Sequence, residues 1–153
     1  MIFVTFQATI FFFYFWVKDH FYQRSPANFK KTRWSFGDDP KPIESNPELQ
    51  QKLVKHKPDI IGLGVYGWNI DIVLKNAEWY RKNYPDALII AGGPSAEATK
   101  EFLGKNPAID LVILGPGIEI FRRCIDARIG GVPVSDVEGV SYLKDHEIVK
   151  NKP

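Results

Sequence analysis

The chain has 153 residues, which is enough for one domain with a sizeable core but not for a second, catalytic domain. It is 44% hydrophobic and 25% charged, an ordinary balance for a globular protein that excludes wholesale disorder. Its 20 basic residues stand against 18 acidic ones and are mostly scattered, so nucleic acid is not an expected partner. The single cysteine, Cys124, excludes an internal disulfide and a metal cluster built from cysteines.

The first 17 residues are almost entirely apolar and rich in aromatic side chains. They lack the basic start and small-residue cleavage site of a signal peptide, so secretion is not expected and we place the protein in the cytoplasm. A membrane anchor stays open as an alternative, because about 17 apolar residues lie near the lower limit for a spanning helix. We favour a buried strand over about 2–7 and then a helix over about 10–23, since residues 2–6 are rich in β-formers.

The next part of the chain predicts a strand, a loop and a helix. A strand over about 29–36 precedes a loop over 37–42 that contains glycine and proline. A helix over about 46–56 follows. Asn46 can cap this helix, and Pro47 suits its first position.

The central part of the chain alternates short apolar runs with helical patterns. The predicted strands cover 60–65, 87–91 and 111–114. The predicted helices cover 70–83, about 95–104 and about 118–128. Asn69 and Ser95 are candidate capping residues. This alternation predicts a parallel sheet covered on both faces. The expected fold class is therefore α/β, a doubly wound Rossmann-like (flavodoxin-like) sheet of about five parallel strands.

After Gly130-Gly131 the pattern changes to that of a small β-hairpin. Residues 137–143 and 148–150 read as its two strands, separated by four polar residues. We therefore expect two parts. Residues 1–130 would form the Rossmann-like domain, and residues 131–153 the hairpin and a linker toward a catalytic domain that the chain does not contain.

Glycine-rich segments mark the ends of all three central strands, where a parallel sheet presents backbone to a ligand. They are Gly62-Leu-Gly-Val-Tyr-Gly67, Gly92-Gly93-Pro94 and Gly115-Pro-Gly117. The first matches the Gly-x-Gly-x-x-Gly pattern of dinucleotide sites, but the next strand ends in glycines instead of the acid that would hold a ribose. The two adjacent glycines would let a flat ligand lie against the backbone. A tight turn without a ligand is the alternative for that segment.

These segments resemble the cobalamin-binding domain at the front of many radical S-adenosylmethionine (SAM) enzymes. That family reads Tyr-x-Trp-Asn, Gly-Gly-Pro and Gly-Glu-Gly-Glu after successive strands, and the resemblance covers roughly residues 46–150. It implies bound cobalamin, whose nucleotide tail these loops would enclose. Here Pro116 and Ile118 replace both family acids, which leaves Glu119 as the nearby carboxylate. The implied cofactor-binding residues are Gly64, Tyr66, Trp68, Asn69, Gly92, Gly93, Pro94, Gly115 and Gly117. For Trp68, folding back over the core is the alternative.

No catalytic set and no metal-binding set stands out in the sequence. Classical cobalamin carriers supply an axial histidine in Asp-x-His-x-x-Gly, but His20 directly follows Asp19 and is better explained as a helix-surface residue. The radical SAM relatives generally lack that histidine too, so the resemblance implies base-off cobalamin without an axial histidine from the protein. Cys124 alone cannot form their three-cysteine iron–sulfur motif, so no cluster is expected in this chain.

The favoured hypothesis is a cobalamin-binding module that is not catalytic by itself. Its partners would be cobalamin and a radical SAM catalytic domain or subunit. A second hypothesis is a structural or interaction domain that has lost the cofactor, which the replaced acids and the apolar first residues favour. A third, a dinucleotide-binding enzyme, is disfavoured because the sequence shows no catalytic residue set.

Overall fold

The computed structural model describes residues 3–5, 33–35, 42–56 and 58–152. The strands are β1 (Phe3–Thr5), β2 (Arg33–Ser35), β3 (Ile60–Gly64), β4 (Leu88–Gly92), β5 (Leu111–Ile113), β6 (Val140–Lys144) and β7 (Glu147–Lys150). The helices are α1 (Pro47–His56), α2 (Ile70–Asn83), α3 (Lys100–Lys105) and α4 (Gly117–Gly130). Short 3-10 turns cover Ile43–Ser45 and Val134–Asp136.

Two predictions for the first part of the chain fall largely outside the described residues. These are the helix over about 10–23 and the membrane alternative for residues 1–17. Among the helices in the described ranges, none is both long enough and apolar enough to span a bilayer.

Five strands form one mixed sheet in the order β3-β4-β5-β6-β7. β3, β4 and β5 run parallel, whereas β6 and β7 are antiparallel to their neighbours. β1 and β2 pair in parallel, and β1 lies alongside β3. The order β2-β1-β3-β4-β5 is the flavodoxin-like one, so the predicted doubly wound α/β fold is confirmed. The sheet is mixed rather than purely parallel because the hairpin continues it beyond β5.

The C-terminal hairpin shares its sheet with the parallel strands. β6 pairs with β5, with Val112 opposite Ser141. At the tip, Asp145 and His146 have φ values of 50° and 64°, the left-handed conformation that a two-residue type I′ turn requires. The predicted hairpin is therefore confirmed. The domain boundary after residue 130 stays a prediction.

Both faces of the central strands are buried, because side chains alternate across a strand and helices cover each side. The face toward α2 contains Ile61, Leu63, Val65, Val73, Ala77, Tyr80 and Ile89. The face toward α4 contains Ile60, Ile90, Leu111, Ile113, Phe121, Cys124 and Ile125. On the α4 face, the alternation places Gly62, Gly64 and Gly92 toward the carboxyl ends of β3 and β4. The sheet therefore has no side chains over this part of its surface.

α3 begins about five residues later than the sequence predicts. Thr99 is its N-cap residue, and the Thr99 hydroxyl accepts a hydrogen bond from the Phe102 N–H at 3.1 Å. The Ser95 N–H instead donates to the Val65 carbonyl at 3.1 Å. The predicted cap at Ser95 is wrong because this backbone hydrogen bond holds the turn against the end of β3.

Arg81, near the end of α2, fixes the amino ends of β4 and β5. Its guanidinium donates to the carbonyls of Pro85, Ala87 and Ala108 at 2.6, 3.0 and 3.2 Å. It also pairs with the Asp110 carboxylate at 2.5 Å. The same carboxylate oxygen accepts the Ile89 N–H at 2.7 Å. One side chain therefore joins α2 to both strands at the end of the sheet opposite the glycine segments.

We expect Arg81→Ala to lower the free energy of unfolding by about 2 kcal/mol, since several carbonyls and a carboxylate lose a charged donor. The site is partly exposed, so water will replace some of these hydrogen bonds. Urea denaturation measures the change. The matched control is Arg128→Ala, because Arg128 donates to the Asp86 carbonyl at an exposed site. Equal losses in the two variants would contradict this role of Arg81.

Candidate functional site

A cavity of about 420 Å³ lies at the carboxyl ends of β3, β4 and β5, on the face that α4 covers. Its volume falls in the range of small-molecule sites, and its position is where doubly wound folds bind ligands. Six predicted site residues line it: Gly64, Tyr66, Gly92, Gly93, Gly115 and Gly117. The structure therefore brings the three glycine-rich segments together around one cavity.

The sequence analysis did not predict most of the apolar residues that line the cavity. The strands contribute Gly62, Leu63, Ile90 and Ile113. The start of α4 and the turn before it contribute Pro116, Ile118, Glu119 and Phe121. In a sequence, an apolar residue facing a cavity looks the same as one in the core. The available signal was the spacing of Gly62, Gly64 and Gly92, which removes side chains from one face of two neighbouring strands.

Three predicted site residues, Trp68, Asn69 and Pro94, do not line the cavity. Pro94 is exposed and directly follows the lining residue Gly93. Asn69 is 1% exposed. Its side-chain oxygen accepts the Tyr66 N–H at 2.8 Å, and its amide donates to the Gly64 carbonyl at 3.0 Å. Asn69 occupies the N-cap position of α2 as predicted, but its side chain makes no capping hydrogen bond. It holds the loop between β3 and α2 instead.

Asn69→Ala should lower the free energy of unfolding by about 2 kcal/mol, because a partly buried N–H and a buried carbonyl both lose their partner. The variant should also alter the fluorescence of Trp68, which lies in the same loop. Thermal unfolding followed by tryptophan emission tests both effects. Asn83→Ala is the matched control, since Asn83 donates to the Trp79 carbonyl at an exposed position. A similar change in both variants would rule out a special role for Asn69.

A stacked aromatic pair joins the cavity to the surface, since Tyr66 is half-buried and lines the cavity whereas Trp68 is exposed. The rings of Tyr66 and Trp68 stack with centroids 4.7 Å apart and an interplanar angle of 20°. Trp68 is 69% exposed, so the alternative in which it folds back over the core is wrong. Large exposed aromatic surfaces are unusual in a turn and favour contact with a flat ligand or a partner.

Gly92 and Gly93, the neighbouring glycines of the second segment, differ in what the absence of a side chain does for the structure. A β-carbon at Gly93 would lie 2.6 Å from the Val65 carbonyl oxygen, and its φ is 114°. Gly93 is therefore required by the turn itself. A β-carbon at Gly92 would meet Ile113 at 3.8 Å, an ordinary contact. The fold does not need glycine at position 92, and the missing side chain there leaves room in the cavity.

Glu119 carries the negative charge at the start of α4. Arg122 donates to its carboxylate at 2.7 Å, and this hydrogen bond lowers the pKa of Glu119 below its usual value. Arg122 also pairs with Asp126. An acid in the first turn of a helix also interacts favourably with the helix dipole. The carboxylate is therefore ionised and already engaged by arginine at neutral pH.

The described residues offer no metal-binding cluster, and their cysteine is unreactive. Burial raises the pKa of the Cys124 thiol to about 12, so it stays protonated and unreactive at neutral pH. In the described ranges, no group of three or more histidine, cysteine and acidic residues could hold a metal ion. None of the described residues that line the cavity is a histidine.

Residues 37–125 match the family model of the B12 binding domain. The chain belongs to this family. Both the predicted resemblance and the predicted class of function are confirmed. The chain is a B12-binding domain similar to the cobalamin-binding region of radical SAM methyltransferases.

Two curated relatives support this assignment to the B12-binding domain family. The chain is 33% identical over 95 residues to the cobalamin-dependent radical SAM methyltransferase TokK of Streptomyces tokunonensis. It is 31% identical over 98 residues to the 2-(S-pantetheinyl)-carbapenam-3-carboxylate methyltransferase of Streptantibioticus cattleyicolor. These alignments cover 61% and 63% of this chain but only 14% of each relative. The chain thus corresponds to a small part of the longer enzymes.

Solved structures show the same fold. The radical SAM methyltransferase TsrM from Kitasatospora setae, with cobalamin and a [4Fe-4S] cluster bound, superposes with a TM-score of 0.70 at 12% identity. The cobalamin-dependent radical enzyme OxsB, with aqua-cobalamin and SAM bound, gives 0.67 at 17% identity. Both matches cover 99% of this B12-binding domain, and 28% and 22% of the two larger chains.

Proposed function

We propose that this B12-binding domain holds cobalamin at the carboxyl ends of β3, β4 and β5 and presents it to a radical SAM domain or subunit. The observation that carries the proposal is the glycine-floored cavity, which the half-buried Tyr66 lines and beside which the exposed Trp68 ring stacks on Tyr66. The names of the similar enzymes support the same cofactor and the same kind of partner.

The residues present fit cobalamin. A β-carbon at Gly117 would have its nearest neighbour 4.0 Å away, and one at Gly92 would make an ordinary contact with Ile113 at 3.8 Å, so the absence of longer side chains at both positions leaves room for a bound group. The cavity is too small for a whole corrinoid, so part of the cofactor would enter it and the rest would lie outside, near Trp68. Gly64, Gly93 and Gly115 would add close backbone contacts. Cobalamin, when bound, supplies alkyl-transfer or radical chemistry at cobalt.

We further propose that cobalamin is held base-off, without an axial histidine from the protein. His146 lies in the exposed turn between β6 and β7, and the cavity lining within the described residues contains no histidine. A single buried cysteine cannot hold an iron–sulfur cluster, because such a cluster needs several thiolates. Any SAM cleavage would therefore depend on the partner, and this chain would not be catalytic alone.

Purified protein mixed with hydroxocobalamin and then desalted should retain the corrinoid. The visible spectrum of the complex should be the same in His20→Ala, His56→Ala and His146→Ala, because no histidine is expected to bind cobalt. Absorbance after desalting measures retention and ligation together. Failure to retain corrinoid would refute cobalamin binding, whereas retention with a changed spectrum in one histidine variant would refute only the absence of an axial histidine from the protein.

A further inference from the structure

Asn151 follows the last strand of the sheet and joins it to the loop that precedes β6. Its N–H donates to the Val140 carbonyl at 3.0 Å, and its carbonyl accepts the Gly139 N–H at 3.0 Å. Gly139 and Val140 therefore both oppose Asn151, and the φ of Gly139 is 83°. This arrangement is a G1 β-bulge, in which a glycine takes the left-handed conformation and the strand bends.

The side chain of Asn151 holds the same loop. Its amide nitrogen donates to the Val137 carbonyl at 2.9 Å and also to the Ser135 carbonyl. The side chain is half-buried, so water competes with these hydrogen bonds less than it would at the surface. One residue therefore fastens the stretch over residues 135–140 to the end of β7.

The bulge contacts the third glycine segment from both sides. The Gly139 carbonyl accepts the Leu114 N–H at 3.4 Å, and Leu114 directly precedes Gly115. A β-carbon at Gly139 would lie 2.5 Å from the side chain of Ile120, so the bulge packs closely against the first turn of α4. The bulge therefore helps to fix residues 114–120, although Asn151 itself lies outside the cavity lining.

We propose that Asn151 is a positioning residue for cobalamin binding, which acts through the bulge at Gly139 on the Gly115-Pro-Gly117 segment. This inference rests on the proposed function. The segment contains two glycines, whose backbone rotates more freely than that of other residues, so its conformation depends on contacts from outside. β-Bulges are frequent beside functional sites, where they redirect the chain.

Asn151→Ala tests this role because it removes the side-chain amide and leaves both backbone hydrogen bonds of the bulge in place. We expect the variant to bind hydroxocobalamin roughly 5-fold to 10-fold more weakly, the ratio that corresponds to about one hydrogen bond. Equilibrium dialysis under conditions where circular dichroism shows the variant to be folded measures affinity apart from stability. Asn106→Ala is the matched control and should bind normally, since its half-buried amide donates to the Phe102 carbonyl at 2.7 Å, outside the cavity lining.

The unaltered protein offers a second test that needs no substitution. Coupling between two sites is reciprocal, so if the bulge strengthens cobalamin binding, bound cobalamin must stabilise the bulge. We expect cobalamin to slow the hydrogen exchange of the Gly139 and Asn151 amides, followed by NMR, more than that of the Asn106 amide. Direct shielding by the cofactor would not explain this difference, because neither Gly139 nor Asn151 lines the cavity.

The outcomes separate this inference from the proposed function. Unchanged affinity in Asn151→Ala, or equal slowing of exchange at Gly139, Asn151 and Asn106, would overturn the positioning role and leave cobalamin binding intact. If the unaltered protein bound no cobalamin, the proposed function would fail and the positioning role would fall with it. Hydrogen exchange on the unaltered protein decides the question even where Asn151→Ala does not fold.

Discussion

Gly92→Leu should weaken cobalamin binding by about 10-fold to 100-fold, which corresponds to the 1–3 kcal/mol that overfilling a packed space typically costs. The leucine would extend from the last residue of β4 into the cavity. A β-carbon at this position meets only an ordinary contact at 3.8 Å from Ile113, so the empty domain should fold normally. Titration with hydroxocobalamin measures affinity, and urea denaturation without the cofactor measures stability.

Gly104→Leu is the matched control for this substitution. Gly104 lies in α3, outside the cavity lining, and a β-carbon there would meet nothing within 4 Å. The control should bind cobalamin as the unaltered protein does. Unchanged affinity in Gly92→Leu would show that the cofactor does not use this cavity.

Gly93→Ala should lower the free energy of unfolding by about 3 kcal/mol or more, because backbone strain and a steric clash act together. The added methyl group would lie 2.6 Å from the Val65 carbonyl oxygen, and φ is 114°. The strands on both sides are buried, so the backbone has little room to move away. Urea denaturation without cofactor measures the loss directly.

Gly115→Ala separates the effect of backbone strain from that of the steric clash. Its φ is 90°, but a β-carbon there would meet nothing within 4 Å, so only strain remains. We expect a loss of about 1–2 kcal/mol for this variant. If Gly93→Ala cost no more than Gly115→Ala, the close approach between Gly93 and Val65 would not matter for folding.

Local patterns predicted the central strands and the glycine segments well. β3, β4 and β5 are buried on both faces and therefore appear as continuous apolar runs bounded by glycine. The later start of α3 was not predictable in this way, because it depends on a hydrogen bond from the Ser95 N–H to the Val65 carbonyl, 30 residues away in the chain.

The structure brings predicted residues to one cavity where backbone geometry decides, and the sequence did not predict the lining residues that packing decides. Their contact with a cofactor stays a prediction. Glycines at strand ends can be recognised directly in a sequence, and all five predicted glycines line the cavity. Ile90 and Ile113 cannot be recognised in this way, because facing a cavity and facing a helix demand the same residue type. Asn69 suited both a cap and a ligand contact, and only the tertiary structure shows its hydrogen bonds to Tyr66 and Gly64.

The pairing of the hairpin with β5 also bears on aggregation. Without β6, β5 would be an edge strand with unpaired N–H and C=O groups, and its three residues are all buried hydrophobics. With the hairpin in place, the outer strand is β7, which is four residues long with Glu147 and Lys150 at its ends. Short strands with charged residues resist pairing with other chains. The hairpin therefore covers an apolar strand that leads into the Gly115-Pro-Gly117 segment, and a protein cut after residue 130 would expose that strand to self-association.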